Sequence, residues 1–200
     1  MAYVAPTVRS VGDAVTAADY NIMANDVLDH ESRISDVGLY HIATNTISAV
    51  NSSSFVSLLT STYANYRIIL HITSVSVGGV VYMKLRSGAT DISANYSYGS
   101  WLTEASGTSN ISQATGGTTG FFLGNSYSAY NGMAISVDLI GPQLASNTLC
   151  YGVGSSNYVN TRLETSGGLH SAATAYDGVT LYVASGTMTG TARLYGYQNS

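Results

Sequence analysis

Apolar and polar residues alternate along most of the chain beyond residue 38. Tyr66-Arg-Ile-Ile-Leu-His-Ile-Thr73 sets Tyr66, Ile68, Leu70 and Ile72 at every second position, and residues so spaced share a face only in an extended strand. Met133-Ala-Ile-Ser-Val-Asp-Leu139 and Val179-Thr-Leu-Tyr-Val183 repeat the pattern. Further strands are predicted at residues 39–42, 46–50, 54–59, 80–86, 120–123, 148–153, 157–164, 169–174 and 191–197. Turns rich in Gly, Ser and Asn separate them at roughly the 8–12-residue spacing of sandwiches and barrels. No helical period falls between them, which excludes parallel βαβ units. The expected fold is mainly β: an antiparallel β-sandwich, a jelly roll, over residues 38–200.

Two stretches break the alternation. In residues 87–119, Ser87-Gly-Ala-Thr90 and the run from Ser106 to Gly120 are polar and poor in bulky groups, and Tyr96, Tyr98 and Trp101 lie between them. The stretch is expected to form long loops at one end of the sandwich, where those three aromatics would serve surface recognition. The other stretch is the N-terminus. Residues 1–15 have neither period, and Pro6 and Gly12 punctuate an extended arm. From Thr16, a capping residue with Asp19 three positions on, the spacing becomes helical. Tyr20, Met23, Val27, His30 and Ile34 recur at gaps of three and four, predicting one helix over 16–34, roughly 28 Å long at about 1.5 Å per residue. Such a narrow stripe does not hold a coiled coil alone. Two uses remain open: packing on the chain's own β domain, or bundling with copies of itself and docking on a larger partner.

Charge separates the same two regions. Residues 1–37 carry Asp13, Asp19, Asp26, Asp29, Glu31 and Asp36 against Arg9 and Arg33, which accounts for the whole net charge of −4. Residues 38–200 are balanced. The expected organisation is therefore an arm-and-helix region, 1–37, followed by a β domain, 38–200. Only 9% of residues are charged, against about a quarter in an average globular chain. With one lysine and no basic run, nothing is placed to neutralise phosphates, and nucleic acid is not an expected partner. No apolar run approaches the ~20 residues of a membrane helix, so membrane insertion is not expected. Met1-Ala-Tyr-Val-Ala-Pro6 lacks the basic and apolar regions of a signal peptide, so synthesis without export is expected.

Candidate chemistry is sparse. Cys150 is the one cysteine, read as a small core residue rather than a reactive thiol. His30, His41, His71 and His170 have no second ligand at metal-binding spacing, and His71 is expected on a surface or an interface. Gly152-Val-Gly154 lacks a third glycine, and Gly116-Gly-Thr-Thr-Gly120 lacks the lysine of a phosphate loop. Asp91, Glu104, Asp138, Glu164 and Asp177 are the only acids of the β domain, a thin supply for paired-carboxylate hydrolysis. No catalytic residue, metal or cofactor is expected. Asn51-Ser-Ser, Asn95-Tyr-Ser and Asn110-Ile-Ser match the glycosylation pattern by composition alone.

Three stretches resemble one family. Val11-Gly-Asp-Ala-Val-Thr-Ala-Ala-Asp-Tyr-Asn21 resembles the N-termini of tailed-bacteriophage virion proteins, in which a thread and a helix precede a variable domain. Tyr63-Ala-Asn-Tyr-Arg-Ile-Ile-Leu70 and Asn95-Tyr-Ser-Tyr98 are similar to a β domain of phage fibre and surface proteins. Gly190-Thr-Ala-Arg-Leu-Tyr-Gly-Tyr197 is similar to their closing strand. The family's usual tryptophan before the last strands is replaced by something near Tyr176. The resemblance implies a non-enzymatic virion component assembled in the host cytoplasm, a homotrimer attached through its N-terminal arm. The arm's Tyr3, Val4, Pro6, Val8, Val11 and Val15 are too many apolar groups for a solvated tail and would be the anchor. Expected partners are other virion proteins, the major capsid protein or tail components, with a host surface glycan as a further one. Capsid decoration (cement) is the first expectation. A short tail fibre or receptor-binding protein is the alternative, and a free-standing carbohydrate-binding module is the second.

Overall fold

The computed structural model describes residues 38–128, 132–158 and 160–198, together with Asn21 and Asn25. The predicted anchor (Tyr3, Val4, Pro6, Val8, Val11, Val15) and helix stripe (Tyr20, Met23, Val27, His30, Ile34) lie outside the described residues. The chain divides into two units, Met1–Gly38 with Ser200, and Leu39–Asn199.

The second unit is built from antiparallel strands: β1 (Leu39–Val50), β2 (Ser52–Phe55), β3 (Asn65–Val75), β4 (Gly79–Ser87), β5 (Thr90–Asp91), β6 (Tyr96–Glu104), β7 (Ser109–Thr118), β8 (Phe121–Ser126), β9 (Met133–Ile140), β10 (Thr148–Tyr158), β11 (Asn160–His170), β12 (Gly178–Val183) and β13 (Met188–Tyr197). They form a large sheet in the order β1-β13-β3-β9-β10-β11-β6-β7 and a smaller one in the order β2-β12-β4. Along the remaining edge of β4, β8 pairs with Gly79–Met83 and β5 with Arg86 and Ser87.

The alternation works as predicted in the central strands. Tyr66, Ile68, Leu70 and Ile72 of β3 are buried, as are Met133, Ile135, Val137 and Leu139 of β9. Val179, Leu181 and Val183 of β12 bring the small sheet's contribution to the same hydrophobic cluster, so one core serves both sheets. Cys150 is buried in it with a free thiol. Each fully buried aliphatic side chain contributes on the order of 1.5–3 kcal/mol before ordering costs.

Two ribbons cross between the sheets. β1 pairs β13 in the large sheet, while their continuations β2 and β12 pair in the small one. The crossing is marked by a bulge between Ile47 and Val50 and by Ala49 at φ 50°. The Asn51 amide donates to the carbonyls of Val183 and Gly186, both at 3.0 Å, stitching the corner. β3 and β4 repeat the arrangement against β9 and β8.

Five expectations need correction. The candidates 54–59 and 169–174 are strand only at their first two residues, because β2 ends at Phe55 and β11 at His170. The candidates 39–42 and 46–50 are one strand, β1, because its pairing with β13 runs through the polar residues between them. Residues 157–164 are not one strand: they span the hairpin at which β10 turns into β11. Residues 87–119 are not long loops. Only residues 88–95 turn, around the short β5, while Tyr96–Glu104 and Ser109–Thr118 form β6 and β7, a hairpin that extends the large sheet beyond β11. Its turn is short: the Gly107 N–H donates to the Glu104 carbonyl at 2.9 Å, with Gly107 at φ 90°. Small polar residues read as loop on propensity, but pairing to a neighbouring strand overrides that preference.

Candidate functional site

Where β6, β7 and β11 run beside β4 and β8, the sheets leave a half-open cavity of about 280 Å³. Strand alternation determines what enters it. The registers Tyr98↔Gly168, Leu102↔Glu164 and Glu104↔Arg162 carry the even-numbered residues of β6 and β11 to the inner face of the large sheet.

One wall is aromatic. Tyr98 stacks on Phe122 with centroids 5.3 Å apart, and Phe122 meets Tyr82 edge to face at 6.2 Å. Tyr82 in turn stacks on Tyr182 at 5.4 Å. Burial, with the neighbouring Tyr98, pushes the Tyr82 phenol up to about 12, so it stays protonated and able to donate.

The opposite wall is charged. The Arg162 and Glu164 side chains are only 8% and 4% exposed. Arg162 Nη2 donates to Glu104 Oε1 at 2.5 Å, and Nη1 reaches Glu164 Oε1 at 3.5 Å and the Tyr127 hydroxyl. Glu164 also accepts from the Asn125 backbone N–H at 2.7 Å and the Asn125 side-chain amide at 2.9 Å. A Cβ at Gly124 would lie 2.5 Å from Glu164 Oε2, so the absent side chain lets the carboxylate reach the β8 backbone. Burial raises the Glu164 pKa above the ordinary carboxylate range, although Asn125 and Arg162 pull it down. A buried arginine between two carboxylates is costly to desolvate and holds together only through such a set of donors.

The predicted recognition aromatics separate. Tyr96 is a core residue and not a surface one: its hydroxyl accepts from the Leu85 N–H at 2.8 Å and donates to the Ile92 carbonyl at 3.1 Å. Tyr98 lines the cavity, and Trp101 lies on the opposite face of the sheet, 58% exposed. Alternation along β6 sends 96 and 98 one way and 101 the other, a signal hidden while the segment is read as loop. His71 is exposed on β3. His170 is buried, hydrogen-bonded to the Tyr176 hydroxyl at 3.3 Å, and burial lowers its pKa.

The five acids are all engaged. Asp91 pairs with Arg86 and accepts from the Thr180 hydroxyl at 2.6 Å, Asp138 pairs with Arg67, and Asp177 accepts from the Gly88 N–H at 2.9 Å. Glu104 and Glu164 share Arg162. No three His, Cys, Asp or Glu residues cluster at metal-binding distance among the described residues. Sequence reading missed the cavity's Arg162 and Asn125, and had Glu164 only as one of five scattered acids. The period-two spacing of Arg162 and Glu164 marks a shared face, but the partner across it is visible only from the strand register. Compared with family models, curated proteins and solved structures, the chain matches none of them.

Proposed function

We propose that the chain is a structural protein on the surface of a tailed-bacteriophage particle. On this reading it is a homotrimeric capsid decoration protein held by residues 1–37, with the β domain outward. The observation that carries it is the strand order. An order of β1-β13-β3-β9 in the large sheet, with β2-β12-β4 and β8 beside β4 in the small one, is compatible with a jelly-roll sandwich in which two ribbons fold across each other. That supports the fold expected from the phage resemblance. Incorporation tests the proposal. Particles assembled with full-length chain should retain it through sedimentation, whereas chain lacking residues 2–15 should fold and stay in the supernatant. Retention of the truncated chain at full occupancy would refute the anchor. Failure of the full chain to join capsids or tails would refute the particle role.

A second reading, a receptor-binding tail protein, is favoured by one feature, the cavity. An aromatic wall of Tyr82, Tyr98 and Phe122 facing Asn125 and a buried Glu164–Arg162 pair suits a sugar ring, which stacks its apolar face and hydrogen-bonds its hydroxyls. A panel of hexoses, N-acetylhexosamines and uronic acids, titrated while amide shifts are followed, tests it. Saturable binding that Tyr98→Ala weakens at least tenfold supports the reading, and no binding at millimolar sugar sinks it.

A further inference from the structure

The outer face of the large sheet is unusually apolar for a surface in water. β10 presents Leu149, Tyr151 and Val153 there, β11 presents Leu163, β6 presents Trp101 and β7 presents Ile111, with exposures from 40% at Val153 to 80% at Ile111. The registers Val153↔Thr165, Thr165↔Trp101 and Trp101↔Ile111 set one row across four adjacent strands. Through Val153↔Ser136 and Ser136↔Ile69 the row continues over β9 to β3, where Ile69 is exposed as well. Between Trp101 and Leu163 runs a groove of about 320 Å³. A solvated sheet face normally alternates to polar and charged residues. Here the outward positions of β10, β11, β6 and β7 hold no charged residue, and the Arg67 and Asp138 side chains on β3 and β9 neutralise each other.

We infer that this face is an interface between copies of this chain. Size points away from a small ligand. Six strands spaced about 4.8 Å, each presenting about 20 Å of length, cover roughly 600 Å² before corrugation, approaching the ~800 Å² per partner of a standard interface. Charge selects the occupant. Across these six strands a strongly acidic or basic partner meets only the self-neutralised Arg67–Asp138 pair, a Glu104 at the groove that Arg162 already holds, and one exposed charge at the margin, Arg193 of β13 beside Ile69. A second neutral, apolar, twisted sheet instead packs well, the strands crossing at about 30°. This sheet face itself has that character, so a second copy of the chain supplies the matching surface. The inference rests on the β domain and does not depend on where the particle reading puts the protein.

The chain's one tryptophan is Trp101, so its emission reports directly on whether the face is covered. One face packed on the same face of a second copy closes at two chains. Through this contact the full-length protein should sediment as a dimer, or as a multiple of two where residues 1–37 also associate, at micromolar concentration. On association, Trp101 emission should shift to the blue and acrylamide quenching should fall several-fold. The double variant Ile111→Lys, Leu163→Lys keeps Trp101 and changes only exposed positions. It should retain the β-type circular dichroism, emit to the red of wild type and associate roughly 30-fold or more weakly, the scale of losing one interface hot spot. An oligomer in which Trp101 is quenched as freely as an open indole would overturn the inference, as would a folded variant that keeps the wild-type emission and associates as tightly as wild type. Either result leaves assembly through residues 1–37 standing. A monomer at every concentration overturns both.

Discussion

Arg67 and Asp138 face each other directly across β3 and β9 and close two parallel hydrogen bonds, Nε to Oδ1 at 2.8 Å and Nη2 to Oδ2 at 2.7 Å. The Tyr197 hydroxyl of β13 donates to the same Oδ1 at 2.6 Å. One carboxylate thereby ties three neighbouring strands at the end of the sheet where the closing strand finishes. The Arg67 hydrogen bonds hold the Asp138 pKa below the ordinary carboxylate range, and burial opposes them only in part.

Stability linked to Asp138 therefore has a defined direction. A carboxyl whose folded pKa is lowered stabilises the native state above its unfolded pKa, about 3.9, and that contribution is lost as pH falls through the folded value. Asp138→Asn should cost about 1–2 kcal/mol at pH 7, the scale of a partly exposed charge-assisted pair. The difference from wild type should shrink toward pH 3. Urea unfolding at both pH values measures it, and a difference that stays constant would show the pair to be electrostatically inert.

The central strands were legible because burial on one face leaves its period in the sequence. Tyr66 to Ile72 and Met133 to Leu139 alternate for that reason, and each is buried as expected. β6 and β7 were not legible. Ser97, Gly99 and Ser100 carry the composition of a turn, and only the pairing of Gly99 with Gly167 and of Ser100 with Ser166 makes them strand. The cavity was half legible. Arg162 and Glu164 stand two apart on one face, but Glu104, 58 positions away, meets Arg162 only through the β6–β11 register. Tyr96 and Trp101 looked alike as loop aromatics because a loop reading discards the alternation that sends one into the core and the other outward.

Close strand approach makes Gly190 a sensitive position. It sits at the β13 bulge against β3, where an added Cβ would collide with the His71 carbonyl oxygen and lie 2.9 Å from Ile72 Cα. Both are backbone atoms of a central strand, so no side chain can turn aside. Gly190→Ala should destabilise by about 2–3 kcal/mol, at the upper end of overpacking costs. Gly99→Ala, where nothing lies within 4 Å of the added carbon, is the control and should change stability by less than about 0.5 kcal/mol. Equal thermal shifts for the two variants would show that the β3–β13 spacing adapts.

The buried triad predicts a pH response opposite to that of Asp138. Burial raises the Glu164 pKa, so its linked stability is present below the unfolded carboxyl pKa and is lost as pH rises through the folded value. Arg162 limits that loss by pairing with Glu104 and Glu164. Arg162→Met keeps the aliphatic bulk but leaves two carboxylates beside each other in a poorly solvated wall, a change that should cost roughly 3 kcal/mol or more at pH 7. Without the guanidinium the Glu164 pKa should climb further, and the variant should regain stability as pH falls and the carboxyl protonates. The double variant Arg162→Met, Glu164→Gln removes one of the stranded charges and should recover part of the deficit at pH 7 while flattening the pH dependence. Thermal unfolding of both variants and wild type between pH 4.5 and pH 8 separates the cases. If Arg162→Met loses the same stability at every pH, the guanidinium acts through packing alone and the charged wall of the cavity is not held by its carboxylates.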